Sequence, residues 1–199
     1  MDKGDTLNEG FNDTDNAYLS KKMTEFTVIN TNSRSLCPKI DSLVDCMTEL
    51  EAGVAIVTET WFREGPELEA LREKLMEEDN IGIITENRKA EAINGVTYGG
   101  VALLWRQAEG SFKKIAISNP DSFEIVAGAG SVRGFSRKVM AVGCYLPPNY
   151  TRAKGNQALE FITNTLVDIK RRYSDPFIIL AGDFNQWRVE DAVADFPDL

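Results

Sequence analysis

Between Pro176 and Asn185 the chain reads Pro-Phe-Ile-Ile-Leu-Ala-Gly-Asp-Phe-Asn. An apolar run of this kind behind a proline predicts a strand buried on both faces, which belongs inside a layered fold. Gly182 permits a tight turn, and Asp183 and Asn185 stand where the strand ends. Two residues apart in extended chain, their side chains point the same way. A carboxylate and an amide at the mouth of an apolar strand suit a site that holds a metal-bound phosphate and activates water beside it. They equally suit an Asx-type turn that closes a core strand.

The same arrangement recurs upstream. Residues 1–24 carry Asp2, Asp5, Glu9, Asp13 and Asp15 without periodic hydrophobicity, which predicts a disordered acidic leader. Phe26, Val28 and Ile29 then form a strand that closes at Asn30-Thr31-Asn32. Ile40, Leu43, Val44, Met47 and Leu50 recur at helical spacing up to Gly53. Val54-Ala55-Ile56-Val57 is a second buried strand, ending at Thr58-Glu59-Thr60-Trp61. Strand, helix, strand implies a parallel pair with a right-handed crossover, which brings Asn32 and Glu59 to one edge.

Pro66 to Glu78 reads as an amphipathic helix with Leu68, Leu71 and Leu75 on one face. Strands are expected over Ile81–Thr85, Tyr98–Trp105, Phe112–Ser118, Phe123–Ala127 and Lys138–Tyr145, largely antiparallel because polar and glycine-rich turns separate them. Asn156 can cap a helix that runs to about Tyr173 and feeds the Pro176 strand. No repeat or low-complexity linker divides 25–199, so the expectation is one domain with helices outside and two packed β-sheets inside. A sandwich stopping after this strand would expose a sheet edge.

Composition excludes whole classes of chemistry. The 199 residues contain no histidine, so a Ser-His-Asp triad, a Cys-His pair and a histidine-bound zinc are ruled out within the chain. Any metal must sit on oxygen ligands. The net charge of -9 repels a polyanion at long range, although a divalent cation can bridge that repulsion locally. Cys37, Cys46 and Cys144 are odd in number and widely spaced, as expected of reduced thiols. No apolar run approaches membrane length and no signal peptide is visible, so a soluble, intracellular protein without membrane partners is expected.

Asn32, Glu59, Tyr145, Asp183 and Asn185 each lie at or just beyond the end of an apolar strand. Any one of them is explained by a strand's need for a polar end. Five together, in ordered motifs, point further. Thr31-Asn32, Glu59-Thr60-Trp61, Gly99-Gly100-Val101-Ala102, Tyr145-Leu146-Pro147-Pro148 and Gly182-Asp183-Phe184-Asn185 resemble the motif series of the endonuclease/exonuclease/phosphatase superfamily, which includes DNase I. The set is most similar to the apurinic-endonuclease-like domains of non-LTR retrotransposons, and it spans about Glu25 to Trp187.

The resemblance implies a four-layered α/β sandwich of αββα type and Mg²⁺-dependent phosphodiester hydrolysis, with Mn²⁺ as a substitute. By position, Glu59 ligates the metal and Asn32 completes or supports its shell. Asp183 takes the proton of the attacking water or orients that water. Asn185 hydrogen-bonds a phosphate oxygen, and Tyr145 positions the same phosphate from the other side. The implied substrate of the complete domain is DNA; a reverse transcriptase in the same parent polyprotein and a nuclear location would fit a retroelement enzyme, although no basic cluster in the chain supports that location. Arg88, Lys89, Arg133, Arg137 and Lys138 are candidates for touching the DNA backbone, or else are solvated loop charges.

Three departures qualify the likeness. Thr31 stands where relatives usually carry Trp, and Leu146 where retroelement relatives often carry Arg. The family pattern also continues to a Ser-Asp-His motif, which is absent here and leaves the expected sandwich C-terminally incomplete. Loss of a positioned acid-base group costs roughly 10²–10⁴ in rate, so impaired hydrolysis is expected of this chain. The alternatives are a non-catalytic remnant that binds a partner, or a same-fold exonuclease, deadenylase or phosphoinositide phosphatase.

Overall fold

In the computed structural model the described residues are 26–87, 98–118 and 123–194, so the leader expected over 1–24 lies outside them. Strand β1 (Val28–Asn32), helix α1 (Ile40–Glu49) and strand β2 (Val54–Thr58) form the expected crossover unit. The two strands are parallel, in a register that runs from Val28 opposite Val54 to Asn32 opposite Thr58. Helix α2 (Pro66–Glu77) begins on the proline that its missing N–H favours, with Glu67 and Glu69 in the first turn and Lys74 in the last, as the helix dipole prefers. Strands β3 (Ile81–Glu86) and β4 (Val101–Arg106) complete a sheet of order β1-β2-β4-β3.

The second sheet follows chain order. Strands β5 (Gly110–Lys114), β6 (Glu124–Val132) and β7 (Val139–Tyr145) are antiparallel neighbours. Helix α3 (Arg152–Arg172) then crosses over to β8 (Phe177–Asp183), which lies parallel to β7. The crossover of the first sheet is therefore repeated in the second, and its register sets Tyr145 opposite Asp183. A short helix α4 (Glu190–Val193) comes after β8.

Strand alternation divides the apolar residues into three cores. Ala55, Val57, Ala102 and Leu104 face outward beneath Leu43 and Met47 of α1 and Leu68 and Leu75 of α2. Val54, Ile56, Val101 and Leu103 face inward and meet Val126, Val139 and Ala141 of the second sheet. On the far side, Ile125, Ala127, Met140 and Val142 lie beneath Ala158, Ile162, Leu166 and Ile169 of α3. Helices, sheet, sheet, helix is the four-layered αββα sandwich expected from the sequence.

Four details differ from expectation. α3 starts five residues ahead of Asn156, capped by Thr151, whose Oγ1 accepts from the Lys154 amide at 3.3 Å. Gly155, outside the helix if Asn156 were the cap, lies within it, where the Trp187 ring occupies the space a side chain would need. β5 lies earlier and β6 runs longer than the hydrophobic pattern indicated, since glycines at 128 and 130 sit in the β6 ladder. β8 is not buried on both faces. Among the described residues only β7 pairs with it, and its residues are half-buried, with Phe177 39% exposed.

All three cysteines are free thiols, with Cys144 buried in the helix-covered face of the second sheet. Among the described residues no helix is long and apolar enough to cross a membrane.

Candidate active site

The C-terminal ends of β1, β2, β7 and β8 converge on one edge of the sandwich, so the five residues singled out in the sequence come together. The Asn32 amide nitrogen donates to Glu59 Oε1 at 2.9 Å and to Asp183 Oδ2 at 2.8 Å. One amide thus joins carboxylates from two sheets. The Tyr145 hydroxyl donates to the same Glu59 Oε1 at 3.1 Å. Asn32 lies 27 residues from Glu59 but 151 from Asp183, so the second contact exists only through the packing of sheet on sheet.

Each side chain is held by its backbone. The Asn185 amide N–H donates to Asp183 Oδ1 at 3.1 Å, and Asn185 sits at φ 49°. The Asx turn and the site are therefore one structure: one carboxylate oxygen fixes the turn and the other faces Asn32. The Asn185 side chain donates through Nδ2 to the Leu146 carbonyl at 2.8 Å, which ties it to the segment after Tyr145. At Gly182 the φ is +151° and an added Cβ would lie 1.9 Å from the Cys144 carbonyl oxygen, so only glycine fits the last step before Asp183.

Glu59 follows β2 at φ 52°, an uncommon conformation for a residue with a side chain. It is over-determined from both sides. The Ser35 and Leu36 amides donate to the Glu59 and Thr60 carbonyls at 2.9 and 3.0 Å, and the Thr60 and Trp61 amides donate to Gly100 and Gly99 at 3.3 and 2.9 Å. Burial pushes the Tyr145 hydroxyl well above the ordinary phenol range, and the negative charge of Glu59 beside it adds to the effect. Tyr145 is accordingly a neutral hydrogen-bond donor at physiological pH.

Glu59 and Asp183 have no basic partner among the described residues. Two carboxylates, hard donors with no counter-ion among the described residues, fit Mg²⁺, which takes one or two carboxylates and fills its shell with water and phosphate oxygens. The Asn32 side-chain oxygen accepts from the Arg34 amide at 3.2 Å. No group of three or more His, Cys, Asp or Glu side chains suited to a metal occurs among the described residues, so an all-protein cage is not what the site offers.

The basic residues behave differently from the motifs. Arg137 and Lys138 precede the first residue of β7, and Arg133 follows the last residue of β6, at the end opposite Tyr145. Seven-residue β7 separates them from the site by about 20 Å. Arg137 pairs with Asp175 at 2.7 Å and Lys138 with Ser131 Oγ at 2.7 Å, so these two are structural rather than substrate-facing. Arg88 and Lys89 lie outside the described residues. Trp61 stacks edge-on against Tyr98 at 4.9 Å, Trp105 covers Gly82, and Trp187 covers Gly155.

Two residues near the site were not singled out in the sequence. Asn30 donates from Nδ2 to the Gly182 carbonyl at 3.0 Å, linking β1 to β8. A polar side chain two positions before Asn32, on the same strand face, was the available signal. Glu124 is a carboxylate only 4% exposed, opposite Tyr145 in the β6–β7 register. An acidic residue at the head of an apolar strand was its signal.

Comparison with solved structures places the fold. A Bacteroides thetaiotaomicron endonuclease/exonuclease/phosphatase family protein aligns with a TM-score of 0.63 at 12% identity over 85% of this chain and 68% of its own. The D. rerio TDP2 complex with single-strand DNA product gives 0.55 at 14%, over 86% and 64%. The 3'-5' exonuclease NExo of Neisseria meningitidis gives 0.55 at 17%, over 79% and 57%. The chain spans between 57% and 68% of the length of these three. No protein-family model and no curated protein sequence matches it.

Proposed function

We propose that the chain is a divalent-metal-dependent phosphodiesterase domain acting on DNA, of the retroelement endonuclease type, with Mg²⁺ as its metal. The observation that carries this reading is the single amide of Asn32 holding Glu59 and Asp183 together across two sheets. The fold is that of endonuclease/exonuclease/phosphatase structures, one of them bound to DNA product. The ordered motifs around Asn32, Glu59, Tyr145 and Asp183 support the retroelement type within that fold.

In this reading Glu59 would hold the metal, with Asn32 beside it completing or supporting its shell. When bound, Mg²⁺ neutralises charge on the phosphoryl oxygens and lowers the pKa of coordinated water. Asp183, fixed by its own Asx turn, orients the attacking water or accepts its proton. The second amide hydrogen of Asn185, left over by the bond to Leu146, serves a phosphate oxygen. Tyr145 keeps its proton, which it gives to Glu59 Oε1 in the structure and would turn to the same phosphate as a neutral hydrogen bond once the metal engages Glu59.

A second reading rests on the composition. With no histidine in 199 residues the chain has no imidazole to protonate a leaving group, which favours a partner-binding domain that hydrolyses slowly or not at all. Supercoiled plasmid incubated with the full chain decides between them. Mg²⁺-dependent nicking, abolished by EDTA and reduced about 10²–10⁴-fold in Asp183→Ala, is the expected result. Nicking that survives Asp183→Ala overturns the nuclease reading, and DNA binding without nicking favours the second. Phosphate release from inositol lipids in place of nicking moves the substrate to another branch of the same fold.

A further inference from the structure

The Gly99–Gly100 turn touches the backbone that presents Glu59. Both glycines lie at positive φ, 92° and 86°, before β4 begins. The reason is on the opposite sheet. The Glu124 carboxylate reaches across from the start of β6, and its Oε2 accepts from the Gly100 amide at 2.5 Å. A Cβ at Gly99 would lie 2.6 Å from both Glu124 oxygens, and one at Gly100 would lie 2.5 Å from Thr60 Oγ1. Only two glycines let this backbone press against the carboxylate on one side and Thr60 on the other.

The contact continues to Glu59. The carbonyls of Gly99 and Gly100 accept from the Trp61 and Thr60 amides, and the Trp61 ring packs edge-on against Tyr98 at the head of the same turn. Glu59 and Trp61 are both at positive φ, 52° and 56°, so this stretch keeps its shape only while its hydrogen bonds hold it. Glu124 also lies opposite Tyr145, the residue that donates to Glu59 Oε1. One buried carboxylate thus borders both the backbone route and the side-chain route to Glu59. A charge-assisted hydrogen bond to a backbone amide is among the stronger ones available, and in a buried setting it fixes geometry accordingly.

We propose that Glu124 is a positioning residue for Glu59: its carboxylate fixes the Gly99–Gly100 turn, and that turn sets the strained backbone from which Glu59 projects into the site. This rests on Glu59 being the metal ligand. Groups that orient a metal ligand from behind typically alter metal affinity 10–100-fold when replaced.

The test uses the full chain with Glu124→Gln, Glu124→Ala and Glu59→Gln, read by Mn²⁺ titration, thermal melting and amide resonances. Glu124→Gln keeps the volume and one acceptor oxygen but not the charge. It is expected to move the Gly100, Thr60 and Trp61 amide resonances, speed their hydrogen exchange and weaken Mn²⁺ binding about tenfold. Glu124→Ala is expected to weaken binding further, towards the level of Glu59→Gln. If Glu124→Gln leaves the Thr60 and Trp61 amides and Mn²⁺ affinity as in the parent chain, the proposal is overturned, even if Glu124→Ala melts early. If the parent chain binds no Mn²⁺, the metal reading of Glu59 fails separately, and the Thr60 and Trp61 amides alone decide whether Glu124 sets this backbone.

Discussion

β2 and β8 each deliver one carboxylate to the site, and in sequence they look like the same object. Val-Ala-Ile-Val-Thr leads to Glu59, and Phe-Ile-Ile-Leu-Ala-Gly leads to Asp183. In the fold they are opposites. β2 has β1 and β4 on its flanks and every residue is buried, whereas β8 has β7 alone among the described residues and no residue fully buried. Half of the site is therefore mounted on a core strand and half on an edge. Edge strands open more readily, because fewer ladder hydrogen bonds and apolar contacts hold them. The links from β1 offset this: Asn30 and Asn32 hold the Gly182–Asp183 end, while Phe135 packs between Phe26 and Phe177 at the other.

The largest effect on this contrast is expected from Gly182→Ala. Its Cβ would overlap the Cys144 carbonyl, so β8 must part from β7, at a loss of about 4 kcal/mol seen as a lowered denaturation midpoint. A melt like that of the parent chain would show that β8 is already loose at this point. Paired truncations come next. Ile56→Ala, on wholly buried β2, is expected to cost about 3 kcal/mol, and Ile179→Ala, on half-buried β8, about 1 kcal/mol. Equal losses in chemical denaturation would erase the distinction between core and edge.

Asn30→Ala removes a hydrogen bond between exposed strand edges and is expected to cost about 1 kcal/mol. The local signature is sharper: hydrogen exchange should accelerate at Ala181–Asp183 and stay unchanged in β2. The smallest effect at neutral pH belongs to Tyr145→Phe. The Tyr145 pKa is raised by burial and by Glu59, so its contribution is fully present below the unfolded-state value of about 10. It is lost as pH rises beyond that, because the unfolded chain then ionises first. Melts between pH 9 and 11 should fall more steeply for the parent chain than for Tyr145→Phe.

Much of the site was legible because local chemistry repeats: apolar strand, then polar residue, four times over. The β1–α1–β2 crossover put Asn32 beside Glu59 without reference to anything outside residues 26–61, since chirality leaves one way to connect parallel strands. For Arg137 and Lys138 the sequence left DNA contact and loop charge both open, for the converse reason. A basic residue before a strand is near the site only if that end of the strand is, and β7 runs toward the site, so its start lies at the far end. Glu124 was passed over because its partner, the Gly100 amide, lies just before a strand of the other sheet and 24 positions away.

By itself the sequence determined that helices lie outside two packed sheets, through the apolar strand runs and the 3.6-residue spacing in the helices, and it placed a polar residue at each strand end of the site. Only the tertiary structure decided which strands are central and which lie at an edge, because an apolar run has the same pattern in both places. It also decided that one amide nitrogen should stand between Glu59 and Asp183. That contact joins residues 151 positions apart and depends on the register of one sheet over the other, which is a property of the packed core rather than of any segment.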